Sequence, residues 1–510
     1  MSKQPMNGRP VDLRPGNDPP ALRITPPPFL AAPAFAALLA TLPGARVVGG
    51  AVRDALANRP IADIDLATKL PPTEVIAALR RAGIRAVPTG LAHGTVTALL
   101  DPPLDVTPGV PPGVAPDVPL GGPPGVASNA HPHQHGVQIT TLRRDVATDG
   151  RHATVAFTDD WRQDAARRDF TINAMSMTHD GAVYDYFGGI ADLRAGVLRF
   201  VGEPAARIAE DTLRVLRYFR FFARYAASPP RASVRQALQD GIPALANLSA
   251  ERVWSELQRI LAAPDPRAAV ALMAELGVLA AIIPEGADPA ALARLIAAGA
   301  PADPILRLTA LLTGDVEHFA DRLRLSAAER QRLLDLRTTP LARPGDDDAT
   351  LRRLLADHDA STLIDRTWLA HASPTTAPDP DLTPGPRPTP GPCPTPGPCP
   401  TPGPCPTPGP CPTPGTGSPP DLGWTDLRSR LAGLQRPVFP LEGRDVLALG
   451  VPPGPRVGAL LRAARAWWLA GGCTATARDC RAELARQASR ADAATTEHKE
   501  KPQPSGQTGR

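Results

Sequence analysis

Two aspartates and a pair of glycines carry the first chemical signal in this chain. The run Gly49-Gly50-Ala51-Val52-Arg53-Asp54 is followed, nine residues after Asp54, by Asp63-Ile64-Asp65. A glycine pair between a strand and a helix lets backbone approach a phosphate closely, and Arg53 falls in the first turn of the helix behind it. Asp63 and Asp65 are two apart in a strand-like run, so both carboxylates face one way. Paired carboxylates on one face suit two Mg²⁺ ions about 3.5–4 Å apart. One ion would lower the pKa of an attacking hydroxyl; the other would hold a triphosphate and a leaving pyrophosphate. Either pattern alone is commonplace, an acidic turn or a tight turn. Together, in this order, they point to nucleotidyl transfer.

A second constellation reads bases. Asp211-x-x-Arg214 is expected on a helix, where residues three apart share a face. An ionised Asp only accepts hydrogen bonds and an Arg only donates them. Cytosine offers an amino donor at N4 beside an acceptor at N3, and adenine offers N6 beside N1. One Asp–Arg pair therefore complements either base, whereas uracil and guanine present the opposite order. Arg217 and Arg220 continue along nearly the same face and could contact the triphosphate.

Further along, Arg143 ends a strand and can reach phosphate, with Asp145 a candidate third carboxylate two residues on. In Arg167-Arg168-Asp169, the Asp169 carboxylate can accept from a ribose hydroxyl. His93 lies in the run Gly90-Leu-Ala-His-Gly94. His131, His133 and His135 lie in a low-complexity insert, where a metal role is not expected.

Several of these runs resemble one family. Val47-Val-Gly-Gly-Ala-Val-Arg-Asp54 with Asp63-Ile-Asp65 is similar to the first motif of the class II tRNA nucleotidyltransferase and bacterial poly(A) polymerase family, within the DNA polymerase beta-like superfamily. Four more runs match in order: Thr141 to Asp145, Arg167 to Met175, Asp185 to Leu193 and Glu210 to Arg217. Leu441 to Leu461 with Trp467-Trp468 resembles the family's tail. The likeness covers most of residues 44–340 and 436–472.

The resemblance implies template-independent addition of CCA to the tRNA 3′ end from CTP and ATP, with Mg²⁺ as cofactor and tRNA as partner. It implies that Asp63 and Asp65 are catalytic and metal-holding. Nucleotide binding would fall to Gly49, Gly50, Arg53, Arg143, Arg168, Asp169, Asp211, Arg214, Arg217 and Arg220, with Asp169 selecting ribose. The same motifs serve a poly(A) polymerase or an enzyme adding only CC or only A. A catalytically silent RNA-binding protein on the same fold is the rival of another class.

These residues need a scaffold. The first third alternates strand-like runs (Ala45 to Val48, Ile61 to Ala67, Thr95 to Leu100, Val137 to Arg143) with helices from about Ala51 and from Pro72 to Ala82. From Ile208 the periodicity is almost wholly helical. The expected fold class is an α+β head with a mixed sheet, followed by an all-α neck, body and tail. The expected divisions are a disordered N-terminus (1–27), head (28–200, with a Pro/Gly/His-rich insert at 101–136), neck (201–265), body (266–372), Pro-rich disordered linker (373–420), tail (421–489) and disordered C-terminus (490–510).

Bulk composition is compatible with this organisation. The 510 residues are 43% hydrophobic but only 4% aromatic, so aliphatic side chains must build the core. The 64 prolines cluster in patches, which marks inserts. A net charge of +4 permits nucleic-acid binding without arguing for it. Arg greatly outnumbers Lys, which suits planar contacts to phosphate. Four of six cysteines, Cys393, Cys399, Cys405 and Cys411, recur every sixth residue in the Pro-rich linker. They form no disulfide framework or zinc pattern. No leader or membrane span is evident, and a cytoplasmic location is expected. No histidine–aspartate phosphohydrolase pattern is found in the helical half.

Overall fold

A computed structural model describes residues 19–61, 63–101, 136–148, 153–373 and 421–499. The segments 102–135 and 374–420, including His131, His133, His135 and the cysteine repeat, lie outside the described residues.

The strands of the head are short and aliphatic, as a thin mixed sheet requires. They are β1 (Leu22–Arg23), β2 (Arg46–Val48), β3 (Asp65–Thr68), β4 (Arg85–Gly90), β5 (Thr95–Leu99), β6 (Gly136–Thr141), β7 (Arg143–Thr148), β8 (Ala153–Phe157), β9 (Met175–Met177) and β10 (Ala182–Asp185). Eight form one sheet in the order β1-β10-β9-β2-β3-β6-β5-β4, while β7 and β8 form a separate ribbon. All neighbours in the large sheet run antiparallel except β3 and β6. β5 and β6 flank the long insert and pair as antiparallel neighbours, Leu99 opposite Gly136, as an expanded hairpin requires.

Helices α1 (Pro33–Thr41), α2 (Gly50–Leu56) and α3 (Pro72–Arg81) cover this sheet. Phe35, Leu38, Val52, Val75 and Leu79 pack with Val47, Leu66, Val96, Ile139 and Met177 in one buried core. Proline begins both α1 and α3, at the one helical position where its missing N–H costs nothing.

Beyond the sheet come α4 (Trp161–Ala166), α5 (Gly189–Ala195), α6 (Pro204–Glu210), α7 (Arg214–Tyr225), α8 (Ala232–Asp240), α9 (Ala250–Leu261), α10 (Arg267–Leu276) and α11 (Val278–Ile282). An aromatic cluster roots α7 in the head. Phe170 lies 4.8 Å from Phe200 and 5.2 Å from Phe221, and Phe200 stacks on Tyr218 at 5.7 Å between ring centres. Such pairs add about 0.5–1.5 kcal/mol each beyond the area they bury. At α5, a Cβ on Gly189 would lie 2.2 Å from the Thr171 carbonyl oxygen, so only glycine fits there.

The chain forms two compact units, Met1–Ala287 with Asp321–Arg324, and Asp288–Ala320 with Leu325–Arg510. In the second unit follow α12 (Pro289–Ala297), α13 (Pro304–Leu311), α14 (Val316–Arg322), α15 (Ala327–Thr338), α16 (Asp348–Asp357), α17 (Ala360–His371), α18 (Asp421–Gly433), α19 (Gly443–Leu447), α20 (Pro455–Ala470) and α21 (Ala477–Lys499). Residues 321–322 at the end of α14 fall in the first unit. Leu351, Leu355, Leu363, Leu427 and Leu431 make one core; Leu460, Ala464, Trp468, Cys480 and Leu484 contribute to another. His371 lies between Trp368 (6.2 Å) and Trp424 (5.9 Å), and Arg428 caps Trp368 at 3.5 Å. This stack joins the end of α17 to the start of α18.

The expected α+β head with a helical remainder is therefore what the chain adopts. Local expectations differ in several places, among them the start of β3, which is Asp65 rather than Ile61. β1 lies inside the stretch expected to be disordered; two residues that only extend a sheet edge leave no periodic signal. α21 runs to Lys499, past the expected start of a disordered tail at 490, because the polar run is also rich in alanine. Arg143 opens β7 rather than ending β6, since the buried Leu142 turns the chain into the second ribbon. Asp211 is not helical: its φ of −153° and ψ of 105° break the chain between α6 and α7. Among the described residues no helix is long and apolar enough to cross a membrane.

Candidate functional site

Sheet register places the first cluster. Val48, the last residue of β2, pairs with Asp65, the first of β3, so the glycine loop and the aspartates share one end of the sheet. Asp63 precedes the strand, yet the alternation survives: Asp63 and Asp65 are exposed and Ile64 between them is buried. The surrounding protein raises the Asp65 carboxyl above its usual range; Arg168 opposes this and Asp63 reinforces it.

Gly49 caps α2 with φ 69° and ψ −123°, a region open to glycine. A Cβ there would sit 2.9 Å from Arg168 Nη1. The glycine therefore gives Arg168 its place beside Asp65. Gly50 begins the short helix α2.

Arg168 follows α4 and is anchored from behind. Its Nη2 donates to Asp164 Oδ2 at 3.4 Å and its Nη1 to the Asn173 carbonyl at 3.5 Å. Burial lowers the pKa of Arg168, against the pull of Asp164 and Asp65. Asp164 also accepts from Arg167 Nε (2.9 Å) and from the Arg143 backbone N–H (3.2 Å). Burial would raise the Asp164 carboxyl, but these cations and N–H donors hold it below its ordinary value. Arg143 also donates from Nη1 to the His93 carbonyl. Asp145 lies in β7, with its side chain outside the described residues.

Arg53 is 8% exposed and turned inward. It donates to both Asp54 oxygens (3.0 and 2.8 Å) and to Asn173 Oδ1 (2.6 Å), and its guanidinium lies 4.4 Å from the Tyr225 ring centre. The Tyr225 hydroxyl donates to Asp54 at 2.6 Å, tying the end of α7 to α2.

Asp169 is 7% exposed and accepts four N–H bonds. Oδ1 receives Phe170 N (2.9 Å) and Asn173 Nδ2 (3.0 Å), while Oδ2 receives Arg217 Nε (2.8 Å) and Nη2. Burial works to raise its carboxyl, but Arg217, Asn173 and the Phe170 N–H together hold it low.

At the break before α7 and in its first turn, Asp211 and Arg214 turn to different partners. Arg252 on α9 donates to both Asp211 oxygens, at 3.1 and 2.9 Å. Arg214 donates to Glu210 (2.5 Å) and to the carbonyls of Arg207 (2.8 Å) and Arg167 (3.4 Å). Arg217 points to Asp169. Arg220 donates to Glu256 at 3.1 Å, and burial together with Arg217 brings its pKa down to about 10.

Arg168, Arg53, Asp169 and Arg217 thus meet through Asn173 in one hydrogen-bonded network, with Gly49 and Asp65 beside Arg168. Asp211, Arg214 and Arg220 border it. Sequence reasoning gave no role to Asp164, Asn173, Arg252 or Glu256. Asn173 stands inside the quoted Arg167–Met175 run, and Arg252 and Glu256 are four apart on α9; Asp164 has no sequence signal.

Among the described residues no group of three or more His, Cys, Asp or Glu side chains could hold a metal ion. Two exposed carboxylates suit Mg²⁺, which commonly takes one or two carboxylates and completes its shell with phosphate oxygens and water. The adjacent arginines suit a polyphosphate that would bring those oxygens.

Residues 45–107 and 125–199 match the model of the poly A polymerase head domain. Residues 231–288 match the probable RNA- and SrmB-binding site of polymerase A. Among curated proteins, the chain is similar to CCA tRNA nucleotidyltransferase 1, mitochondrial, of Danio rerio, 37% identical over 293 residues, or 56% of this chain and 61% of that one. It is 32% identical over 235 residues to the CCA-adding enzyme of Bacillus licheniformis, 45% of this chain and 49% of that one. The chain thus spans less than two thirds of the length of these relatives. Among solved structures, the Bacillus stearothermophilus CCA-adding enzyme in complex with CTP shares the fold, with TM-score 0.59 at 23% identity over 90% of this chain and 99% of that one.

Proposed function

We propose that this chain, which carries a poly A polymerase head domain, is a template-independent nucleotidyltransferase that adds C and A residues to the 3′ end of tRNA from CTP and ATP. One observation carries the reading: the Asp63–Asp65 pair stands at the sheet end beside the glycine loop and Arg168. The relatives named for CCA addition support the product. In this reading residues 28–200 are the head, 201–265 the neck, 266–372 the body and 421–489 the tail.

Asp63 and Asp65 would hold Mg²⁺, which when bound supplies Lewis-acid stabilisation of the reacting phosphate and activates the attacking hydroxyl. Gly49 and Gly50 admit the triphosphate close to backbone. Arg168, Arg143, Arg217 and Arg220 supply cationic donors for it. Arg53 holds α2 in place through Asp54 and Asn173. Asp169 reads the sugar. Asp211 accepts the amino group of cytosine or adenine, and Arg214 donates to the neighbouring ring nitrogen. The tRNA acceptor end would be held through its phosphate backbone and shape. A cytoplasmic location belongs to this proposal, and cell fractionation tests it against the mitochondrial location in the Danio rerio relative's name.

The description of the head model favours a second reading, poly(A) addition. Incubation with tRNA lacking CCA, plus CTP, ATP or both, separates the products. Full CCA is expected only with both nucleotides. Long A tracts from ATP alone would favour the second reading. Addition of CC only or A only would narrow the activity. No Mg²⁺-dependent pyrophosphate release would sink nucleotidyl transfer and leave an RNA-binding protein.

A further inference from the structure

Asn173 sits where the hydrogen bonds of the site converge. It ends the 3-10 turn Thr171–Asn173 and is 7% exposed. Both ends of its side-chain amide are used: Oδ1 accepts from Arg53 at 2.6 Å and Nδ2 donates to Asp169 Oδ1 at 3.0 Å. Its backbone carbonyl accepts from Arg168 at 3.5 Å. The amide has one workable orientation, since reversal would set NH₂ against a guanidinium and oxygen against a carboxylate.

The Asp169 carboxylate is saturated. An ionised carboxylate offers about four acceptor positions, and Phe170 N, Asn173 Nδ2, Arg217 Nε and Arg217 Nη2 take them. A sugar hydroxyl can enter only where a donor leaves. The Phe170 N–H is fixed backbone and Asn173 is short and buried. Arg217 is long, and 30% of its side chain is exposed.

We propose that Asn173 is a positioning residue for sugar selection: it holds Asp169 through Oδ1 while Arg217 yields Oδ2 to the ribose 2′-hydroxyl. This rests on the nucleotidyltransferase reading above. Asn173 thereby sets the aim of Asp169 at the step when its strongest partner departs.

The test compares full-length wild type with Asn173→Asp and Asn173→Ser on tRNA lacking CCA, using CTP and 2′-deoxy-CTP. Asn173→Asp keeps an acceptor for Arg53 but sets a second carboxylate against Asp169. Asn173→Ser removes the contact without adding charge and gives the answer if the aspartate variant fails to fold. The kcat/KM ratio of CTP to 2′-deoxy-CTP is expected to fall about tenfold or more, as loss of a hydrogen bond to a charged group would produce. The fall should come from CTP, mainly through KM. Equal losses on both nucleotides, leaving the ratio unchanged, would overturn the proposal, because a general structural lesion acts that way. A wild type that incorporates both sugars equally also overturns it while leaving nucleotidyl transfer standing. A wild type that incorporates neither removes the underlying reading and this inference with it.

Discussion

Arg252 Nη2 lies 3.1 and 2.9 Å from the two oxygens of Asp211 and so ties the break between α6 and α7 to α9. One cation reaching both oxygens, with the Leu213 N–H also donating to Oδ1, aims the carboxylate and leaves an acceptor position for a base amino group. Asp211→Ala should weaken discrimination of CTP and ATP against UTP more than it weakens tRNA binding. Arg252→Ala should move selectivity in the same direction by less, because the Asp211 carboxylate itself remains in place. Competition incorporation assays and tRNA binding measured side by side check both. Unchanged rejection of UTP in Asp211→Ala would remove the base-reading role.

Asp63→Ala and Asp65→Ala should each reduce incorporation to background while leaving the fold intact. Both residues are exposed at the sheet end. Circular dichroism and incorporation on the same preparations provide the check. Normal turnover by either variant would end the metal assignment.

Asp65 also predicts a conflict between activity and stability. Its carboxyl titrates above the ordinary range, first because surrounding protein removes water and also because Asp63 repels it, with Arg168 offsetting part. A raised folded-state pKa means the fold prefers the protonated acid. The stabilising contribution is full below the unfolded value near ~3.9 and is lost as pH rises through the folded value. At neutral pH the charge therefore opposes folding. Asp65→Asn should lose activity yet raise Tm at pH 7, by little because the residue is exposed and solvent screens its charge. A lower Tm in Asp65→Asn would contradict the sign.

Asp169 behaves in the opposite sense. Against the burial that would raise it, Arg217, Asn173 and the Phe170 N–H hold its carboxyl low. Its contribution is present above the unfolded value and is lost as pH falls through the folded one. Asp169→Asn should lower stability at pH 7, by less than the ~3–5 kcal/mol typical of breaking a fully buried pair, because Arg217 can turn to water. Melting curves between pH 3 and 7 should show the difference between wild type and variant shrinking toward acid.

Gly49→Ala should lose about 1–3 kcal/mol of stability from its backbone conformation alone. Its new Cβ would also press on Arg168 Nη1, 2.9 Å away, and reduce incorporation further. Urea unfolding gives the first number. An Arg168→Ala background, in which the pressure has no target, separates the second effect.

What could be read from the residues follows the range of the interaction. The glycine loop and the aspartates are close in sequence, and alternation sets the common face of Asp63 and Asp65, so their place at one end of the sheet was legible from spacing. Asp211 and Arg214 looked like a helical pair because three-residue spacing is a helical signal. The partners that Asp211 and Asp169 choose, Arg252 and Arg217, lie 41 and 48 residues away, at distances where spacing carries no geometric information. Asp164 shows the same limit. It anchors Arg143 and Arg168 from behind, yet in sequence it is one acid in a polar helix. The sheet was legible at β2, β5 and β6, where aliphatic residues run or alternate, and illegible at two-residue β1, at three-residue β9 and at the mostly exposed β4.

The Trp368–His371–Trp424 stack has a consequence for how this chain can change over generations. It brings the last turn of α17 against the first of α18, so the ends of the intervening segment are already neighbours. For an unstructured connection between fixed ends, each doubling of length costs only ~0.6 kcal/mol. If residues between those helices are added or removed, the helix ends themselves need not move. The stack thus fixes where the two helices meet independently of the number of residues between them, so a change of length there asks no change of the packing on either side.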